Sequence, residues 1–216
     1  MEQSSSPSLL LQESSAEIGV PLSSEQVHQF MVYLEQLQLW NKSFNLTSIT
    51  VDNEIIIKHF VDSLAALKAE DIKLGARLLD VGTGAGFPGI PLKIARLDLN
   101  ITLVEPVTKK VSFLRFIIGR LRLENIDIFD GTLERFMNER CPYGLHDYLS
   151  TRALKYDLIL KDGLKLLRRG GKAILYSSQP INQSDLSKNW QLMGEYSFQL
   201  PKGYGQRVIS LVMPSV

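Results

Sequence analysis

The sequence predicts an α/β protein, a Rossmann-like and mostly parallel sheet with helices on both faces, preceded by an N-terminal helical extension. Three observations predict it. Between Ser23 and about residue 70, apolar residues recur at helical spacing with no strand-like alternation. After Gly75, short apolar runs alternate with helical patterns, the rhythm of βαβ units. The first of those runs ends on an acid and a glycine-rich turn, the place where open α/β sheets bind ligands. The expected organisation is a flexible segment over residues 1–22, a helical appendage over 23–74 and an α/β domain over 75–216.

Met1–Ser15 is serine-rich and aperiodic, so a frayed terminus is expected. Val27, Phe30, Met31, Leu34, Leu37 and Leu39 mark the first helix, with Ser23 or Ser24 as N-cap and Gln26 in reach of a capping box. It should end before the polar stretch Trp40–Thr50. A second helix follows at about Asn53–Ala69, with Ile56, Phe60, Leu64 and Leu67 on one face. Strands are expected at Ala76–Val81, Ile101–Val104, Ile126–Phe129, Asp147–Thr151 and Lys172–Ser177, the last after a turn at Arg168–Gly171. Helices fall between them at Pro88–Arg96, Thr108–Leu123, Leu133–Met137 and Tyr156–Leu167. Two late strands fit Met193–Leu200 and Arg207–Val212. Crossovers between parallel strands are right-handed.

Composition narrows the function classes. With 216 residues, 44% hydrophobic and 22% charged, the chain can bury a core, and disorder is excluded. No apolar run approaches the ~20 residues of a membrane helix, and Met1–Ser15 lacks the basic start of a signal peptide. The single Cys141 cannot form an internal disulfide, which suits a reducing cytoplasm. With only His28, His59 and His146 besides, no metal centre is expected. The net charge of +1 hides an asymmetry: residues 1–74 carry 4 basic and 10 acidic side chains, residues 75–216 carry 20 and 13. Such asymmetry hints at a polyanionic partner.

The most informative segment runs from Leu78 to Gly89, LLDVGTGAGFPG. Glycine is needed where the chain turns tightly and where a ligand approaches the backbone. Glu105 ends the second strand, where a carboxylate can accept hydrogen bonds from both hydroxyls of an adenosine ribose. Gly84, Gly86 and Gly89 satisfy a dinucleotide spacing, whereas Gly82, Gly84 and Gly86 give the loop of S-adenosylmethionine enzymes. Asp80 would repel a pyrophosphate but suits a ligand carrying a sulfonium and an ammonium, and Pro88 and Pro91 remove phosphate-binding N–H groups. A structural strand–helix turn is the remaining alternative.

DVGTGAGFPGIPLKIA (Asp80–Ala95) resembles the nucleotide loop of the RsmG family, also called GidB. Trp40-Asn41-Lys42 with Asn45-Leu46-Thr47 is similar to its WNxxxNLT signature; His59, Asp62 and Ser63 to its HxxDS; and Lys109–Leu114 to its K[KR]xxFL. Leu123–Ile126 (LENI) and Arg152-Ala153 also match, so the resemblance spans about residues 25–212. It implies a class I S-adenosylmethionine-dependent methyltransferase that methylates N7 of a guanine in the 530 loop of 16S rRNA, as naked RNA or a 30S particle. By the same resemblance, Gly82, Phe87, Leu133, Glu134 and Arg152 line the cofactor site, Glu105 takes the ribose position, and Asp80, Gly84 and Gly86 complete the loop. N7 carries an in-plane lone pair and no proton, so no general base, and no catalytic His or Cys, is expected. A cytoplasmic monomer is the expected form, with no membrane partner.

RNA would be positioned by basic side chains. Lys109, Lys110, Arg115, Arg120 and Arg122 fall in one acid-free stretch; Lys161, Lys165, Arg168, Arg169 and Lys172 form a second cluster. Lys109, Lys110, Arg115, Lys165 and Arg207 are the RNA-contact candidates. Where the family commonly ends its fifth strand with Leu-Lys-Gly, this chain reads Tyr176-Ser177-Ser178-Gln179, and Lys172 or Lys161 would have to replace the missing lysine. His59, Asp62 and Ser63 share a helix face, which suits local locking bonds better than a hydrolytic triad. Tyr33, Trp40 and Phe44 suit a core better than base stacking. A small-molecule methyltransferase, a nicotinamide enzyme and a non-enzymatic ribosome-binding module are the rival functions.

Overall fold

The computed structural model describes residues 6–140, 143–152 and 156–215; Cys141 and Ala153 lie outside them. A seven-stranded sheet of order β3-β2-β1-β4-β5-β7-β6 forms the centre. Its strands are β1 (Arg77–Val81), β2 (Asn100–Glu105), β3 (Ile126–Asp130), β4 (His146–Thr151), β5 (Leu167–Ser177), β6 (Trp190–Gln199) and β7 (Gln206–Pro214). β1 to β5 are parallel, and β7 runs antiparallel between β5 and β6. Strand order reverses at β1 and β4, so the crevice beyond their carboxyl ends is the switch point at which such sheets take ligands.

The extension comprises α1 (Pro7–Glu17), α2 (Ser24–Phe44) and a helical run, α3, over residues 52–69. The capping box of α2 forms as expected: Ser23 Oγ accepts from Gln26 N at 3.2 Å and Gln26 Oε1 accepts from Ser23 N at 2.8 Å. Gln26 Nε2 also donates to the carbonyls of Ile94 and Ala95, at the end of α4 (Gly89–Ala95). One glutamine thus caps a helix start in the extension and a helix end in the α/β domain. The other helices are α5 (Thr108–Leu121), α6 (Leu133–Arg140) and α7 (Tyr156–Leu166). Among the described residues, no helix is long and apolar enough to cross a membrane.

Four expectations are corrected. Within the segment expected to be flexible, Pro7–Glu17 is a helix capped by Ser6, and its buried face is Leu10, Leu11, Ser14 and Ser15. Two serines replace the second pair of apolar residues, so the helical period is invisible in hydropathy; small side chains let α1 approach α2 and α3 closely. α2 continues to Phe44 and stops at Asn45, which takes a left-handed conformation at φ 48°. Trp40 carries the helix onward by packing on Phe113 and Phe116 of α5, at ring separations of 5.6 and 5.2 Å. β5 begins at Leu167, five residues early, because the 168–171 turn is a bulge inside the strand: pairing passes from His146–Leu167 to Tyr148–Lys172. Finally, the middle of α3 is a π segment, Ile56–Val61. A π turn re-aims backbone carbonyls and is common at functional sites.

Candidate functional site

The loop after β1 is held from below by Asp80. Its side chain is wholly buried; Oδ2 accepts from Thr83 Oγ1 at 2.6 Å and Gly89 N at 2.9 Å, and Oδ1 accepts from Ser150 Oγ at 3.0 Å. Burial pushes its carboxyl up to about 6, and the three donors oppose that rise. Glu105 holds the same loop from the β2 side. Its Oε2 accepts from Gly84 N at 2.8 Å, its Oε1 from Val107 N at 3.0 Å, and its backbone carbonyl from Gly131 N at 3.1 Å. One residue therefore gathers the loops after β1, β2 and β3.

The glycines divide by task. Gly84 has φ +63°, and a Cβ there would meet only Lys110 Nζ, at 4.0 Å, so that face of the loop is an open cradle. Gly86 is a packing glycine: a Cβ would stand 2.5 Å from Ile90 Cδ1 and 2.7 Å from Tyr33 Oη. At Gly89 a Cβ would fall 2.4 Å from Leu103 Cδ2, so this glycine serves helix–strand contact. Tyr33 Oη donates to Ala85 O at 2.5 Å, which anchors the loop to α2.

Beside the loop, a polar network joins the extension to the ends of β4, β5 and β7. Arg152 follows β4 and donates through Nη1 to the carbonyls of Lys58 (3.0 Å) and His59 (3.4 Å) in the π segment. Its Nη2 lies 2.6 Å from His59 Nδ1. A guanidinium only donates, so Nδ1 accepts and the imidazole proton sits on Nε2, which donates to Thr47 Oγ1 at 2.9 Å. Asn41 fixes Thr47 in turn, through Thr47 N to Asn41 Oδ1 and Asn41 Nδ2 to Thr47 O. Burial and the Arg152 charge push the His59 pKa down to about 3, so the ring is neutral. The Phe87 ring stacks on His59 at 4.5 Å and lies 5.1 Å from the Arg152 guanidinium carbon.

Asp62 is buried between two cations, with Oδ2 3.4 Å from Arg152 Nη1 and Oδ1 3.7 Å from Arg207 Nε. Burial raises its carboxyl pKa, opposed by both arginines. Ser63 Oγ donates to His59 O at 2.5 Å, so His59, Asp62 and Ser63 make no nucleophile–base chain. Their bonds extend further than the local locking expected, reaching Arg152 and Arg207.

The structure brings Gly82, Gly84, Glu105, Leu133, Glu134 and Arg152 to one sheet edge, with Lys109 and Lys110 in the first turn of α5 beside them. Asp80, Gly86 and Phe87 are set below that surface: Asp80 and Gly86 shape the loop, and Phe87 supports Arg152. Arg115 stands 3.6 Å from Asp130 at the end of β3. Lys165 is misplaced by the sequence reading. Its carbonyl accepts from Gly144 N, and α7 ends where β5 begins, so Lys165 sits at the amino edge of the sheet, across from the cradle. Arg168 there pairs with Asp147 and Lys172 with Glu70, so Lys172 does not replace the missing family lysine; Lys161 faces a pocket between α6 and α7. Tyr33 is core and Trp40 packs its inner edge on the buried Phe113, but Phe44, expected in the core, is exposed at the end of α2 and only leans on Trp40. Thr47 and Tyr176, whose Oη donates to Ser63 O at 2.8 Å, are site residues that sequence reasoning missed. The Asn41–Thr47 spacing was the available signal for the first.

Residues 26–209 match the family model GidB, described as rRNA small subunit methyltransferase G. The ribosomal RNA small subunit methyltransferase G of Clostridium beijerinckii is 38% identical over 175 residues, spanning 81% of this chain and 73% of that protein. The protein of the same description from Streptococcus pyogenes serotype M1 is 37% identical over 209 residues, 91% of this chain and 86% of its own. Among solved structures, a SAM-dependent methyltransferase from Aquifex aeolicus superposes with a TM-score of 0.53 at 14% identity, covering 74% of this chain and 92% of its own. That last similarity is one of fold.

Proposed function

Since the chain belongs to the GidB family of rRNA small subunit methyltransferases, we propose that it transfers the methyl group of S-adenosylmethionine to N7 of a guanine in the 530 loop of 16S rRNA. The observation that supports this most is the cradle at the switch point: Gly84 open to the ligand side and Glu105 beneath it, with Arg152 at the adjoining strand end. The residues fit the cofactor. Gly82 and Gly84 leave room for close approach, Glu105 would accept from the ribose hydroxyls, Leu133 and Glu134 would flank the adenine, and Arg152 would face the carboxylate end. Bound there, S-adenosylmethionine supplies an electrophilic methyl on a sulfonium.

The chain's own contribution is alignment. The N7 lone pair takes the methyl, the electron pair of the broken bond stays on the departing sulfur, and no proton moves. His59 is accordingly not a base: Nδ1, its one acceptor nitrogen, is occupied by Arg152, Nε2–H is given to Thr47, and its pKa is pushed down to about 3. Holding two reactants in line removes an entropic barrier worth several kcal/mol, about 7–11 in favourable cases. The purine gains positive charge, so a buried carboxylate near it would stabilise the transition state. The protein would act in the cytoplasm as a monomer on 16S rRNA or the 30S particle, with Lys109, Lys110 and Arg115 as the contacts for RNA phosphates and Arg207 as an RNA contact inside the site. The deciding experiment follows tritium from labelled cofactor into unmodified 30S particles and into naked 16S rRNA. Label in the target guanine is expected in at least one; label in neither, with cofactor binding demonstrated, would overturn the reaction.

A further inference from the structure

A pocket of about 250 Å³ opens between the π segment and the ends of β5 and β7, lined by Lys58, His59, Asp62, Arg152, Ser177 and Arg207 among others. Asp62 contributes a feature that the extension's locking bonds leave unexplained. Its side chain is 6% exposed, and among the described residues Oδ1 has no hydrogen-bond partner. An unsatisfied buried carboxylate oxygen is costly and calls for a donor. Resting on the methyltransferase reading above, we propose that this pocket takes the Watson–Crick edge of the acceptor guanine, with Asp62 receiving its N1–H and N2–H donors and Arg207 facing O6.

The chemistry of the lining selects the ligand. Three cations, Lys58, Arg152 and Arg207, could suggest a free anion, but a carboxylate set among them repels one. Guanine presents two adjacent donors and then an acceptor along its Watson–Crick edge. A carboxylate flanked by a guanidinium is the complement of that sequence. Adenine and cytosine place an acceptor at the ring nitrogen of that edge, and uracil encloses one donor between two carbonyls. Enzymes that work on a base read it in this way once it is unstacked. The position is also right. Arg152 follows β4 and Ser177 ends β5, next to the glycine loop across the switch point. N7 lies on the far side of the purine from N1 and N2, so this grip leaves its lone pair free. The methylated purine is cationic, and Asp62 then faces a charge of opposite sign.

Asp62 Oδ1 is reached by moving Arg207. That side chain is held loosely: it stands 3.7 Å from Oδ1, too long for a hydrogen bond, and its Nη1 donates to the neighbouring Gln206 carbonyl at 2.8 Å.

The test compares two synthetic RNAs of the target loop, one with guanosine and one with inosine at the acceptor position. Inosine keeps N7, N1–H and O6 and lacks only the N2 amine. Binding is read by fluorescence anisotropy with S-adenosylhomocysteine present, and KM and kcat by methyl transfer on 30S particles reconstituted with either nucleotide. The wild-type protein should bind inosine RNA about 10- to 100-fold more weakly, the loss of one charge-assisted hydrogen bond. In Asp62→Asn the preference should collapse to within about twofold. Equal wild-type affinity for the two RNAs would overturn the proposal without any variant. So would an Asp62→Asn protein that melts and binds cofactor normally yet keeps the preference. Equal affinities with displacement by millimolar phosphate would make the pocket a backbone-phosphate site. Absence of methyl transfer to guanosine RNA would sink the proposed reaction, while the binding comparison would still decide the pocket.

Discussion

Tyr33→Phe removes one oxygen and tests whether the helical extension holds the cofactor loop. The Tyr33 ring is fully buried, stacked at 5.2 Å on Phe60 and at 5.5 Å on Phe87, and the substitution leaves that packing intact. What is lost is the hydrogen bond from Oη to the carbonyl of Ala85, the residue between Gly84 and Gly86. A buried hydrogen bond broken on one side costs about 1–2 kcal/mol. For a chain of this size each kcal/mol shifts Tm by about 2–4 °C, so a fall of about 2–8 °C is expected. The loop can lose no more cofactor affinity than the free energy that ordered it, which bounds the weakening at about 30-fold. Differential scanning calorimetry and titration calorimetry with S-adenosylmethionine read the two effects. Gly86→Ala should be worse on both, because its Cβ would fall 2.7 Å from Tyr33 Oη at a φ of +108°. A Tyr33→Phe protein with unchanged Tm and unchanged affinity would refute the anchor; a lowered Tm with unchanged affinity would separate the extension from the loop.

Glu105→Ala should weaken S-adenosylmethionine binding by at least about tenfold while the protein still folds, since both carboxylate oxygens face loop amides at the cradle; unchanged calorimetric affinity would misplace the ribose. His59 should show no imidazole titration by NMR between pH 5 and 8, because its pKa is pushed down to about 3. The unfolded ring takes up a proton near 6.5, so this group's contribution to stability is complete above about pH 6.5 and declines as pH falls towards 3; a midpoint near 6.5 in the folded protein would contradict the assigned tautomer. Replacing Lys109 and Lys110 together by alanine should weaken RNA binding and reduce the slope of log affinity against log salt by about 1–2. An unaltered slope would return both lysines to the solvated surface.

The sheet was legible because each buried strand is a short apolar run, and the cradle because Gly82, Gly84 and Glu105 occupy ends of consecutive strands. What stayed hidden depends on three-dimensional closure. α1 buries serines rather than leucines, so hydropathy did not mark it. Asp80 reads as a ligand charge in one dimension, and only the fold shows Thr83, Gly89 and Ser150 surrounding it. Lys165 looked equivalent to Lys109 because both sit on helices, but α7 carries its last turn to the amino edge whereas α5 begins at the carboxyl edge. The position along the helix, and not its composition, decides which cations can meet a ligand.

The opposite charges of the two halves acquire a structural meaning from the same geometry. The acidic extension meets the basic domain at Asp62 with Arg152 and Arg207, at Glu70 with Lys172, and at Glu13 with Lys202. The exposed pair is worth little, but the Asp62 group is buried, where removing one partner strands the others. Part of the domain's positive charge is therefore neutralised internally, and the charge available to RNA is smaller and more local than the whole-domain excess of seven suggests. The π segment makes this arrangement possible. By turning the Lys58 and His59 carbonyls towards Arg152, it lets the extension hold the guanidinium from the backbone while Asp62 Oδ1 accepts no hydrogen bond among the described residues. The extension is thereby a wall of the site itself, and on the proposed reading Asp62 is the acid it would turn towards the methylated purine.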